Sequence, residues 1–76
     1  MRRVGTVQRV AQGLALARAA DDGEELPAVG DEVVDENLSV VGRVVSVFGP
    51  VDRPFVAVKP SDRDPASLFD EPLYAR

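Results

Sequence analysis

The side chains of this sequence that could take part in chemistry are serine hydroxyls and carboxylates. The chain contains no histidine and no cysteine. Histidine is the usual general base near neutral pH and the commonest metal ligand, and cysteine supplies the thiolate nucleophile. No histidine is therefore available to activate any of the serines, which are Ser39, Ser46, Ser61 and Ser67.

The carboxylates do not form a catalytic or metal-binding pattern. They lie in turn-like sequence, where burial would not raise the pKa of a carboxyl group. The spacing from Asp31 to Glu36 does not match a calcium-binding loop. The 6 glycines are dispersed rather than grouped into a phosphate-binding loop. We therefore expect a binding or accessory protein that is not an enzyme and that uses no cofactor and no metal.

The charge balance argues against tight, sequence-independent binding to nucleic acid, which needs a basic surface. The chain has 13 acids and 9 bases, for a net charge of −4, and its one lysine is Lys59. Arg2, Arg3 and Arg9 could contact a phosphate, although such residues are more often solvated. An acidic surface that avoids lysine also suits a cytoplasm with concentrated salt, where charge repulsion is screened.

No stretch of the sequence is typical of a signal peptide or a membrane span. The start, MRRVGTVQRV, has arginines but no apolar region behind them. No apolar run approaches the roughly 20 residues that a helix needs to cross a bilayer. We expect one soluble, cytoplasmic domain over residues 1–76, without membrane contact.

Valine-rich runs separated by turns predict a small all-β protein. The predicted strands are Arg3–Val10, Leu14–Ala19, Glu32–Asp35, Leu38–Phe48, Phe55–Lys59 and Leu73–Tyr74. A helix competes at ALARAA because of its high helix propensity, but Gly13 and the neighbouring valine strand favour a hairpin. Gly42 inside a strand predicts a bulge, a bend or a close backbone approach. About six short strands predict an antiparallel barrel.

Strand alternation assigns the apolar residues to faces. In the first strand, Val4 and Val10 share one face and Val7 lies on the other. The longest strand has two apolar faces, which are Val41, Val45 and Val47 on one side and Val40, Val44 and Phe48 on the other. Residues 55–58 are also apolar on both sides.

A small barrel has only one interior, so one of these apolar sets should lie on the outer surface. Contiguous exposed apolar patches usually mark a docking site. The alternative is that the loop before residue 31 or the segment after residue 60 covers the patch. Pro50 and Pro54 stiffen the connection between the two strands, and Gly49 allows a backbone angle that other residues avoid. A stiff loop can present a docking residue with less entropy lost, although it could equally be a rigid turn with no partner.

The run from Gly42 to Pro60 follows the pattern G-x-V-x-x-V-F-G-P-V-x-x-P-F-V-x-V-K-P. With VGTV near the start and LY near the end, it resembles the glycine–arginine-rich-protein subunit of H/ACA ribonucleoproteins in its archaeal form. The acidic, lysine-poor composition would fit a member from a salt-loving archaeon. The resemblance implies a six-stranded barrel similar to the second domain of translation elongation factors.

The resemblance also implies a role. The family docks on the catalytic domain of the TruB-like pseudouridine synthase of an RNA-guided particle that modifies ribosomal RNA. It aids substrate loading and product release without contributing a catalytic group. It contacts the guide RNA only indirectly.

We predict a partner-binding surface in and beside the connection between the fourth and fifth strands. Its residues are Val47, Phe48, Gly49, Pro50, Val51, Pro54, Phe55 and Val56. Val7 and Val41 are weaker candidates. An exposed apolar patch would also allow weak self-association. One alternative is a ribosome-maturation or assembly-factor barrel that binds a ribosomal protein or ribosomal RNA. Another is a barrel that binds RNA directly, which would need aromatic side chains stacking on bases.

Overall fold

The order of the strands around the sheet closes it into a barrel. The computed structural model describes residues 2–19, 26–50 and 52–76. The elements are β1 (Arg2–Ala11), β2 (Leu14–Arg18), β3 (Glu32–Val34), β4 (Val40–Phe48), β5 (Phe55–Pro60), a 3-10 turn (Pro65–Leu68) and β6 (Pro72–Ala75). The strands form a closed antiparallel barrel in the order β1-β2-β5-β4-β3-β6. The predicted all-β, six-stranded barrel is confirmed, with strand ends displaced by a residue or two.

The turn between β1 and β2 decides between the hairpin and the competing helix. Ala11 pairs with Leu14, which leaves Gln12 and Gly13 as a two-residue loop. Both loop residues have positive φ, 53° and 77°. This is the requirement of a type I′ turn, whose twist matches that of the flanking strands. The helix propensity of the ALARAA segment is therefore overridden by strand pairing on both of its edges.

Small side chains fill the interior of the barrel. Ala15 and Ala17 of β2 point inwards and are fully buried, whereas Leu14 and Leu16 lie on the outer face and are only partly buried. The core cluster consists of Val4, Val7, Ala15, Ala17, Val33, Val41, Val44, Val56, Val58, Leu68, Leu73 and Ala75. A six-stranded barrel leaves little internal volume, so valine and alanine supply most of this core and Leu68 and Leu73 are its larger members.

Bulges explain where the simple alternation of faces was wrong. β1 shifts register between Arg3 and Gly5 and again between Val7 and Arg9. Each shift adds a residue and reverses the alternation, so Val4 and Val7 are both buried. The predicted separation of these two valines onto opposite faces is wrong for this reason.

β4 has two irregularities of the same kind. Its pairing shifts opposite the Val33–Val34 step of β3 and again between Val44 and Ser46. As a result Val41 and Val44 both reach the core, while Val45 lies outside and is exposed. The predicted faces, with Val45 grouped with Val41 and apart from Val44, are corrected accordingly.

Gly42 marks a close backbone approach, one of the three readings that the sequence allowed. A Cβ atom at Gly42 would overlap the carbonyl group of Lys59 on β5. A Cβ atom at Gly5 of β1 would likewise overlap the carbonyl group of Arg18, and Gly5 also has a φ of 145°. Both glycines therefore allow a close approach of neighbouring strands that any larger residue would prevent.

Acidic side chains organise the part of the barrel around β3 and β6. Asp35 accepts hydrogen bonds from the backbone N–H groups of Asn37 at 2.8 Å and Ser39 at 3.0 Å, and it pairs with Arg63 at 2.9 Å. The N–H of Ser39 is the main reason that the pKa of Asp35 lies below its usual value. Arg63 and Asn37 lower it further, against partial desolvation, which raises it. The carboxylate thereby ties the β3–β4 turn to the segment after β5.

Candidate partner-binding surface

The outward side chains of β1, β2, β5 and β4 form a continuous surface, which we call the outer wall. Its rows are set by strand register, since directly paired residues stand side by side on the same face. One row runs Thr6, Arg18, Phe55 and Phe48 from β1 to β4. The adjacent row runs Arg9, Leu16, Ala57 and Ser46. An apolar area therefore crosses the middle of the outer wall, with basic residues on its β1 side.

Phe48 and Phe55 provide the aromatic part of this area. Their ring centroids are 5.9 Å apart and their planes differ by 23°, which is a stacked arrangement. The guanidinium carbon of Arg18 lies 5.0 Å from the centroid of the Phe55 ring. Phe55 thus lies between Phe48 on β4 and Arg18 on β2. Packing on both sides holds the ring in place and leaves Phe48, 46% exposed, at the outer end of the stack.

The connection between β4 and β5 is tied to the end of β2. The backbone N–H of Ala19 donates to the carbonyl oxygen of Pro54 at 2.9 Å, and Arg53 Nε donates to the carbonyl oxygen of Ala19 at 3.3 Å. Gly49 has a φ of 101°, so it adopts the conformation that the sequence predicted for a glycine there. The two hydrogen bonds hold the Arg53–Pro54 end of the connection against Ala19.

The predicted surface residues divide into exposed, half-buried and buried sets. Phe48, Gly49 and Pro50 are exposed, and Val47 and Phe55 are half-buried. Pro54 is buried, and Val56 is a core residue that is 0% exposed. The side chains of Pro54 and Val56 therefore lie below the surface rather than in it. Val51 falls outside the described residues.

The two weaker candidates are also buried. Val7 and Val41 both belong to the core cluster, because the bulges of β1 and β4 turn them inwards. Neither side chain is available to a partner. Val45 is turned outwards by the second irregularity of β4, between Val44 and Ser46, and its side chain is exposed.

Sequence reasoning missed the β2 contribution to this surface. Leu14, Leu16 and Arg18 all point outwards, and Leu16 stands next to Ala57 in the row beside the aromatic pair. The sequence pattern that indicates this contribution is LALAR, in which small residues alternate with large ones. In a narrow barrel the small residues belong inside, so the leucines had to be outside.

Two of the serines have defined places in the described structure. Ser46 stands in the outer wall beside Ala57, and Ser67 donates through its hydroxyl to the carbonyl oxygen of Asp64 at 2.7 Å within the 3-10 turn. Over residues 2–19, 26–50 and 52–76, no three carboxylates come together in a way that could hold a metal ion. What the surface can do is pack an apolar partner against a rigid aromatic pair and present basic groups beside it.

Comparison with known proteins places the chain in a family. Residues 1–75 match the family model described as the Gar1/Naf1 RNA binding region. Because the match extends over nearly the whole sequence, the chain belongs to this family, in agreement with the resemblance carried by the Gly42 to Pro60 run. No curated protein matched the sequence.

A solved structure supports the fold independently. The structure titled "Structure of the Gar1 domain of NAf1" superposes with a TM-score of 0.70 at 17% sequence identity. The superposition covers 99% of this chain and 81% of the other. At this identity the likeness concerns the barrel itself. Within the described part of the chain, no helix is long and apolar enough to cross a membrane.

Proposed function

We propose that this protein is a non-catalytic subunit of an H/ACA ribonucleoprotein that docks on the TruB-like pseudouridine synthase of the particle. In this role it supports RNA-guided pseudouridylation of ribosomal RNA by aiding substrate loading and product release. The observation that carries the proposal is the stacked pair of an exposed Phe48 and a half-buried Phe55 on the barrel of a Gar1/Naf1 family member.

The proposed docking surface consists of outward groups in and around the aromatic pair. The exposed ones are Val45, Phe48, Gly49 and Pro50, and the half-buried ones are Leu16 and Phe55. Aromatic side chains held in fixed positions are the residues that most often dominate binding energy. A standard interface buries roughly 800 Å² on each partner, and the whole chain exposes 4518 Å². One such interface would therefore occupy a large share of the outer wall.

Docking on the synthase fits the absence of histidine and cysteine from the chain. A subunit that acts by favouring one position of a mobile loop in its partner needs no catalytic group of its own. Product release often limits turnover, so assistance with release raises the rate without altering the chemical step.

The test is retention of the synthase of the same organism by the purified chain in high salt and without RNA. Phe48→Ala should weaken binding by roughly tenfold to a hundredfold, as expected for an exposed aromatic anchor. The matched control is Phe69→Ala, which removes a phenylalanine that is 59% exposed beside the 3-10 turn. Phe55→Ala and Val51→Asp should also weaken binding.

Failure of a folded wild-type chain to retain the synthase would contradict the proposal. The alternative is then a ribosome-maturation or assembly-factor barrel with the same fold, and the protein that co-purifies would identify it. If Phe48→Ala and Phe69→Ala weaken synthase binding equally, the synthase is still the partner, but the proposed docking surface around Phe48 is wrong.

A further inference from the structure

Acidic and basic residues lie in different parts of this protein. Strands β1, β2, β4 and β5 contain no aspartate and no glutamate, although the whole chain has 13 acids. The same four strands carry the basic residues Arg2, Arg3, Arg9, Arg18, Arg43 and Lys59. In a protein with a net charge of −4, the four strands of the outer wall therefore carry basic residues as their only charged side chains.

The acids that form ion pairs are concentrated around β3. Among the described residues, ion pairs join Arg2 to Asp31 at 3.7 Å, Arg63 to Asp35 at 2.9 Å and Arg76 to Glu32 at 3.0 Å, and the acids in these pairs all lie in or next to β3. Over residues 2–19, 26–50 and 52–76, Arg9, Arg18 and Lys59 make no ion pair and donate no side-chain hydrogen bond. Within the described part of the chain, these three basic groups are thus available to pair with charge outside the barrel.

Arg18 is the basic residue placed closest to the apolar centre. Its guanidinium group lies over the Phe55 ring, and its Nε is buried without a hydrogen-bond partner among the described residues. A buried donor without an acceptor costs free energy, so a carboxylate that accepts a hydrogen bond from Nε on binding recovers that cost. The contact with Phe55 also holds the guanidinium group in place before a partner arrives. Arginine pairs with a carboxylate through two parallel hydrogen bonds, which suits this group to a carboxylate partner.

The geometry favours a protein rather than RNA as the partner. Sequence-tolerant RNA binding uses aromatic rings whose faces are open to stack on bases. Phe55 has Arg18 on one side and Phe48 on the other, so its faces are already covered. Only the outer face of Phe48 stays available. Apolar side chains in the centre with charged groups around them are the usual composition of a protein–protein interface.

We infer that the outer wall is built for an acidic protein surface, in which an apolar patch seats on Phe48, Leu16 and Val45 and a carboxylate pairs with Arg18. This inference rests on the proposed function for the identity of the partner, the TruB-like synthase. It adds that the contacting surface of the synthase is acidic and that Arg18 is the residue that recognises it. Arg9 and Lys59 contribute attraction at the margins of the same contact.

The experiment measures the dissociation constant of the full chain and the synthase for the wild type, Arg18→Gln, Arg18→Lys and Arg76→Gln. Arg76→Gln is the matched control, because it removes the same charge from an exposed ion pair away from the outer wall. Arg18→Gln should weaken binding by about tenfold, as expected for loss of a charge-assisted hydrogen bond. Arg18→Lys should fall between wild type and Arg18→Gln, since it keeps the charge and loses the planar group. Arg76→Gln should change the constant by less than about threefold.

Salt and RNA separate the remaining outcomes. The wild-type complex should weaken between about 0.1 M and 1 M salt, and Arg18→Gln should reduce that dependence. Binding of wild type and Arg18→Gln with equal affinity overturns the inference and leaves the proposed function standing. No binding by the folded wild type overturns both. If a labelled single-stranded RNA binds in an Arg18-dependent way while the synthase does not, the outer wall is an RNA surface and the inference is wrong. Thermal melting of each variant shows whether a loss reflects unfolding.

Discussion

The two halves of the barrel surface differ in how they use charge. Around β3 and β6, acids and bases pair with each other, as in Arg63–Asp35 and Arg76–Glu32, and Asp35 fastens a turn. On the outer wall the strands carry basic and apolar side chains and no acids. The first half uses these paired charges to stabilise the fold. The second leaves basic groups and an aromatic pair for a partner, which separates stability from binding within 76 residues.

The largest expected effect is on the fold of the outer wall. Gly42→Ala places a methyl group against the backbone carbonyl of Lys59, which cannot move without parting β4 from β5. We expect a loss of about 3 kcal/mol in the free energy of unfolding, at the upper end of overpacking effects. Denaturant unfolding measures it. Gly13→Ala is the control, since no atom lies within 4 Å of its added Cβ and only the positive φ opposes it. Equal losses for the two variants would mean that the close approach at Gly42 is not tight.

The next effect is on binding and contrasts the two halves directly. Leu16→Asp puts a carboxylate into the apolar centre of the outer wall, next to Ala57. Val29→Asp makes the same change of charge in the exposed loop before β3. We expect Leu16→Asp to weaken synthase binding by more than about tenfold, roughly 1.4 kcal/mol, because a buried unpaired charge is costly. Val29→Asp should have little effect. If Val29→Asp weakens synthase binding more than Leu16→Asp does, the docking surface lies in the half of the barrel around β3 and β6, which we call the acidic half.

A smaller effect, confined to stability, is expected at the acidic half. Asp35→Asn keeps the side-chain oxygen but removes the charge that Arg63 and the Ser39 N–H stabilise. The folded-state pKa of Asp35 is lowered, so its contribution is present at neutral pH and is lost as the pH falls below about 4. The wild type should therefore melt at a higher temperature than Asp35→Asn at pH 7, and the difference should shrink towards pH 3. A difference that stays constant with pH would show that the charge is not what stabilises the turn.

The smallest effect concerns backbone strain in the β3–β4 turn. Leu38 has a φ of 66° and is exposed, so it occupies the left-handed region without burial to compensate. Asparagine tolerates this region better. Leu38→Asn should raise the free energy of unfolding by about 0.5 kcal/mol and leave synthase binding unchanged. Any loss of binding would show that Leu38 belongs to the interface.

The strands could be predicted because valine content and turn residues act locally. The faces could not be predicted, because each bulge reverses the alternation and depends on pairing with a distant strand. Val7 and Val44 are buried for this reason, and Val45 is exposed. The turn glycines and the stiff connection after Phe48 could also be predicted from the sequence. Arg18 was not, because its position beside Phe55 arises from the pairing of β2 with β5 across 37 positions in the chain.

The most direct test of the docking surface is an NMR comparison of leucine and valine methyl signals of the labelled chain, free and bound to the synthase. Leu14, Leu16 and Val45 report on the outer wall, and Val29 and Leu38 report on the acidic half. The proposal predicts that the first three signals shift or broaden on binding and that the last two do not. Perturbation of Val29 and Leu38 with unchanged signals from Leu14, Leu16 and Val45 would contradict it.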